Sequence, residues 1–296
     1  MNELATQRQR RIGIACICCA TLMFATLDSS AKWLVLSYPV MQVIWMRFLV
    51  HTVLTAVLFG PRVGKNLYRV QNPKLQILRG LMLTCMTAMN FWALQYLQLA
   101  ETGAIQFSVP ILIALFSVWH LGERQSMSRW VAIATGFVGV LIIIRPGSHA
   151  FHPAILLSLG NAVMYAVFNM ITRHLGAQDH PAATQWISAL VPTLVLTPFA
   201  FLNWQTPNDW VSWGFILLAG LCGGLGHFAS AMAHRYASAA VLGPFLYQQI
   251  IYMTLLGWLM FDQIPDPMVV AGAVLVVASG LYLLRQEFRF TEKALT

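Results

Sequence analysis

Charge is what this chain has least of. Only 9% of its 296 residues are Asp, Glu, Lys or Arg, against roughly 25% in an ordinary soluble domain, and 58% are hydrophobic. Water is therefore not the main solvent, because a soluble protein of this length needs polar surface on most helices while long stretches here lack any ionisable residue. Cysteine is scarce as well. The five, Cys16, Cys18, Cys19, Cys85 and Cys222, fall in apolar stretches and are odd in number, which argues against a disulfide framework. No Cys or His cluster accompanies the first three, so they read as small hydrophobes and no metal site is expected.

What charge there is has a pattern. The net charge is +8, but the basic residues sit at the ends of apolar runs instead of along one face, so no nucleic-acid partner is expected. Residues 12–31 resemble a signal peptide, yet no small-residue cleavage site follows and Asp28 interrupts the run, so this is read as a retained first helix. A spanning helix needs roughly 20 mostly apolar residues. Ten such runs occur, near 12–36, 39–59, 75–97, 101–121, 130–145, 153–173, 182–202, 211–234, 239–261 and 267–285. With the N-terminus in the cytoplasm, 15 of the 18 Lys and Arg, Arg79 and Arg173 among them, fall on cytoplasmic segments. That obeys the positive-inside rule and puts both termini in the cytoplasm.

The chain also repeats itself at a spacing of roughly half its length. Phe24-Ala25 with Lys32 matches Tyr165-Ala166 with Arg173, Gly122-Glu123 answers Phe261-Asp262, and Gly139 to Arg145 answers Gly280 to Arg285. The expectation is an all-α membrane protein with ten transmembrane helices in two inverted five-helix repeats, residues 1–147 and 148–296. An odd number of spans per half turns the second half upside down, as in alternating-access carriers.

Leu121-Gly122-Glu123-Arg124, Trp130, Ala132, Gly136, Gly139-Val140, Arg145-Pro146-Gly147 and Trp45-Met46-Arg47-Phe48 resemble the drug/metabolite transporter superfamily, in its ten-helix branch of two EamA-type repeats. Phe24-Ala25 stands where many relatives have Trp-Gly, and an acid, Asp28, precedes Lys32. That segment, with Tyr38-Pro39 and Arg47, resembles the sub-branch that includes carriers of S-adenosylmethionine, riboflavin and metallophore-like amino-acid conjugates. The resemblance implies a secondary transporter, not an enzyme, in a bacterial inner membrane. Its cargo is a small polar metabolite. Export of an amino-acid-like or metallophore-like compound is favoured, and uptake of a vitamin or cofactor such as riboflavin or S-adenosylmethionine is the alternative. No cofactor is expected; proton coupling and a homodimer stay open.

Intramembrane ionisable groups are functional candidates by default, since a charge at mid-bilayer costs roughly 2.5 kcal/mol or more. Asp28 and Arg47 each lie about 13 Å inside the outer boundary, at 1.5 Å per residue, on consecutive helices. An ion pair between them is expected, with Lys32, one turn above Asp28, as a competing partner or a snorkelling side chain. Asn90, Gln106, Asn161, Tyr165, Asn169, Tyr247, Gln248 and Gln249 are read either as a polar cavity or as helix-to-helix glue. Pro110, Pro192 and Pro244 free backbone carbonyls inside three spans. Trp92 and Trp186 are belt anchors or stacking surfaces for a flat ligand. His51, His120, His227 and His234 show no metal-ligand spacing. A membrane enzyme would need a catalytic constellation at one membrane level, and a channel a ring of repeated polar side chains; neither is visible.

Overall fold

The structure is a computed structural model that describes residues 3–113, 115, 127–148, 151–176, 179–237 and 239–295. The Leu121-Gly122-Glu123-Arg124 motif and His120 lie outside these residues. Among the described residues the chain is helical and contains no strand.

The helices start and stop where local chemistry requires. α1 (Glu3–Val35) ends just before Tyr38-Pro39, and α2 (Val40–Val63) begins immediately after that proline. The residue before a proline avoids helical geometry, whereas proline itself suits a helix start. α3 (Pro73–Tyr96) is capped by Asn72, whose side chain accepts from the Leu75 amide at 3.2 Å. α4 (Leu99–Gln106) opens where the Gln98 amide donates to Glu101 Oε2 at 2.8 Å, the carboxylate half of a capping box, which satisfies one otherwise orphan donor. α5 (Met127–Ile144), α6 (Ile155–Gly176) and α7 (Pro181–Ala200) follow. α8 (Trp210–Tyr236) is capped by Asp209, which accepts from the Ser212 amide and hydroxyl at 2.7 and 2.6 Å. α9 (Ala239–Leu246), α10 (Gln248–Phe261) and α11 (Pro267–Leu295) complete the chain.

Among the described residues, six helices are long and apolar enough to cross a membrane: Gln7–Val35, Val40–Val63, Pro73–Tyr96, Ile155–Thr172, Pro181–Ala200 and Trp210–Tyr236. Leu99–Ile113, Trp130–Ile144 and Pro267–Leu283 are shorter and also apolar. Large hydrophobic side chains such as Leu22, Val57, Leu156, Leu194 and Val274 are exposed on the outside of the bundle, the all-round apolarity of a helix that meets protein on one side and lipid on the other. Two runs expected to be continuous are interrupted. A turn at Phe107 and Ser108 precedes Pro110, and another at Tyr247 follows Pro244. Each proline deprives a preceding carbonyl of its donor, which weakens the ladder there. The interruptions meet, with the Phe107 and Tyr247 rings 5.0 Å apart.

α1 packs on α8 and α10, α2 on α7 and α8, α3 on α6 and α7, α4 on α10, and α5 on α11. Glycines set the closest crossings. A Cβ at Gly220 of α8 would lie 2.4 Å from Val50 Cβ of α2, and one at Gly139 of α5 would lie 2.8 Å from the Gly272 carbonyl of α11. The glycine run of α8 is thus a packing surface, as small residues in membrane bundles usually are. The central core gathers Ile44, Phe48, Phe91 and Leu94 between α2 and α3.

Candidate functional site

One face of α3 is polar in the middle of this apolar bundle. Gln76, Arg79, Thr87 and Asn90 fall within an arc of roughly 80° at 100° per residue. Around the upper half of that face are the two charges singled out from sequence. Asn90 Nδ2 donates to Asp28 Oδ1 at 2.9 Å, and Arg47 Nη1 donates to Thr87 Oγ1 at 3.2 Å. The expected Asp28–Arg47 ion pair is not formed. Among the described residues an ion pair joins Arg145 to Asp266 instead, at 2.6 Å. The physical reason is that α3 offers each group a neutral partner, Thr87 and Asn90, one turn apart on the same face. Arg47 is 5% exposed, its Nε is buried without a partner, and its guanidinium carbon sits 4.4 Å from the Phe48 ring centroid and 5.8 Å from that of Phe91. Gly223 makes room for it, since a Cβ there would stand 3.2 Å from Nε and Nη2. Asp28 keeps accessible surface, and Oδ2 accepts no hydrogen bond among the described residues.

Lys32 does not snorkel. It is buried, and its Nζ donates to the Leu94 and Leu97 carbonyls, both at 2.7 Å. These are unsatisfied carbonyls at the C-terminus of α3, where a cation also meets the negative end of the helix dipole.

Arg79, counted from sequence among the surface charges, is buried. Its Nε donates to Thr172 Oγ1 of α6 at 2.8 Å, its Nη1 donates to Ser188 Oγ of α7, and the guanidinium lies over the Phe168 ring at 4.5 Å. Phe168 in turn stacks on Tyr165, 6.1 Å between centroids. The acid at this end, Asp179, accepts from the Gln71 amide and from Gln76 Nε2, both at 2.7 Å.

The other polar candidates form separate contacts. Asn161 donates to Gln106 at 3.2 Å, Asn169 to the Tyr165 carbonyl of its own helix at 2.8 Å, and Gln248 to Thr21 at 2.9 Å. Gln249 points toward Met253 of its own helix. The Tyr247 hydroxyl is buried with no partner. Trp92 is exposed and Trp186 meets Tyr68 edge-on, so neither faces the charged groups. Sequence reading missed Thr87, Arg79 and the stacking of His51 on His227, 6.0 Å between ring centroids and 10° between planes. The spacing of the polar residues on α3 was the available signal for the first two. The histidines come from α2 and α8, so no spacing within one helix could show that they meet.

The EamA-like transporter family matches residues 11–145 and again residues 152–285. An S-adenosylmethionine uptake transporter of Rickettsia bellii is 24% identical over 282 residues, 95% of this chain and 96% of that protein. A riboflavin transporter of Vibrio cholerae is 32% identical over 201 residues, 66% of each chain. A pseudopaline exporter of Pseudomonas aeruginosa is 26% identical over 274 residues, covering 92% and 96%. One solved crystal structure superposes with a TM-score of 0.64 at 18% identity, over 97% of this chain and 99% of the other.

Proposed function

The chain belongs to the EamA-like transporter family, and from that premise we propose that it is a secondary carrier moving a small polar organic metabolite across a bacterial cytoplasmic membrane by alternating access. One pattern carries the reading. Both acids beside α3, Asp28 and Asp179, accept from carboxamides, and both guanidinium groups, Arg47 and Arg79, donate to hydroxyls. Asp28 and Arg47 attract each other, but each is held by a neutral partner and they form no contact ion pair. In a low-dielectric interior such charges act strongly on a charged ligand, whereas a purely structural pair would close on itself.

The same reading takes ten spans, the fourth and ninth interrupted, in two inverted repeats over residues 1–147 and 148–296. The double family match supports it. So do the helix contacts, because exchanging each helix with its counterpart five spans away turns α1 on α8 into α6 on α3, and α2 on α8 into α7 on α3. Thr52 and Thr193, hydrogen-bonded at 3.1 Å, are 141 residues apart, close to the repeat spacing. Both termini are then cytoplasmic by the positive-inside rule. Asp28, Arg47, Asn90 and Thr87 form the central ligand station, and Asp28 is the group that exchanges a proton. Export of an amino-acid-like or metallophore-like compound is the preferred direction, as the relative named a pseudopaline exporter suggests; the relatives named for S-adenosylmethionine and riboflavin keep uptake as the second reading.

The test has two steps. Metabolite profiling of cells and medium, with and without the gene, names a solute and a direction. Counterflow of that labelled solute in proteoliposomes then examines the carrier. Wild-type protein shows uptake accelerated by solute on the opposite side; Arg47→Gln loses it, whereas Asp28→Asn keeps it in part and loses uphill transport driven by a pH gradient. Flux without that acceleration overturns the carrier reading.

A further inference from the structure

The central station leaves Arg79 unexplained. It lies six residues inside the start of α3, about 9 Å along the helix at 1.5 Å per residue, and is 6% exposed. Burying a guanidinium carries a desolvation penalty of several kcal/mol unless a counterion offsets it. An acid is present at this end of the bundle, but Gln71 and Gln76 engage both oxygens of Asp179. Arg79 instead faces Thr172 and Ser188. Of the five N–H donors of an arginine, three here, including both on Nη2, have no partner among the described residues. The two hydroxyls and the Phe168 ring below the plane fix the orientation of the group. What they leave open is part of a planar fork, the geometry that matches a carboxylate with two parallel hydrogen bonds.

We propose that Arg79, positioned by Thr172 and Ser188 over Phe168, is a carboxylate-binding station on the transport path, so that the solute carries a carboxylate. This rests on the carrier reading above. Arg79 and Thr87, the residue that holds Arg47, are eight positions apart on one face of α3, about 12 Å. The two guanidinium groups serve one carboxylate in turn, Arg47 at the centre and Arg79 nearer the end that carries the termini. The competing account is that Arg79 only ties α3 to α6 and α7.

The full-length protein, purified in detergent, is assayed by thermal shift with S-adenosylmethionine, L-glutamate and L-histidine. Each is set against its carboxamide analogue, and riboflavin serves as a probe without a carboxylate. The expected result is stabilisation by at least one carboxylate, at least tenfold weaker binding of its amide, and a further loss of at least tenfold in both Arg79→Gln and Arg79→Lys. The lysine variant keeps the charge and lacks the fork. If Arg79→Gln does not accumulate as a monodisperse protein, Arg79→Lys and Thr172→Val carry the comparison. The proposal is overturned if no carboxylate stabilises the wild type, if acid and amide bind alike, or if Arg79→Lys binds as the wild type does. Counterflow separates the two layers of inference. Normal counterflow with unchanged KM in Arg79→Lys removes the station and leaves the carrier, whereas no counterflow in the wild type removes the carrier.

Discussion

Replacing Lys32 by methionine discriminates among three roles for a charge inside the bilayer: snorkelling to the surface, binding solute, or capping a helix. Methionine keeps the length and the apolar stem and removes only the ammonium. The structure gives that ammonium two backbone acceptors at the C-terminus of α3, each at 2.7 Å. Charge-assisted hydrogen bonds contribute about 1.5–3 kcal/mol each, and the desolvation that the ammonium no longer suffers offsets part of their sum. The expected loss is about 2–4 kcal/mol, a fall in Tm on the order of 10 °C by soluble-protein scaling. The assay is thermal unfolding of purified protein in detergent, read beside counterflow by the folded fraction. A capping lysine predicts lower Tm with near-normal turnover per folded molecule. Unchanged Tm would refute the cap. Unchanged Tm with abolished transport would make Lys32 a ligand, and unchanged values of both would return it to the surface.

Three further outcomes follow from the geometry. Reporters fused after Arg173 and at the C-terminus should read cytoplasmic, and those after Gly147 and Asn203 periplasmic; a periplasmic C-terminus contradicts the inverted repeat. Gly220→Ala puts a Cβ 2.4 Å from Val50 Cβ and should cost about 1–3 kcal/mol through overpacking, seen as less folded protein on size exclusion, while Gly214→Ala, with nothing within 4 Å, should behave as wild type. Hydrogen bonds from the Ser212 hydroxyl and amide hold the Asp209 carboxyl below its ordinary pKa, so its stabilisation of α8 is complete at neutral pH and lost as acid carries the pH down through that lowered value. Thermal unfolding against pH should therefore show an acid loss in the wild type that Asp209→Asn lacks, and identical profiles would contradict it.

Composition and periodicity by themselves determined that this is a membrane protein, that its helices are apolar on all sides, and that Asp28 and Arg47 are charges inside apolar runs worth a functional reading. These are one-dimensional properties: run length, charge density and the position of a residue along a run. The motif residues likewise pointed to the transporter family that the family match supports over both halves of the chain. Partner choice was not legible. The sequence puts Asp28 and Arg47 at matched depth on consecutive helices, which suggested a pair, but α3 gives each a neutral partner. Lys32 had the spacing of a snorkelling residue and instead caps a helix end 62 and 65 residues away. Arg79 sat at the edge of an apolar run, where a surface charge belongs, until α6 and α7 supplied Thr172, Ser188 and Phe168. A hydrogen bond depends on which helix faces which and at what rotation. Only the packed bundle decides that, because the apolar faces and glycine crossings that set the rotation are spread over segments more than a hundred residues apart.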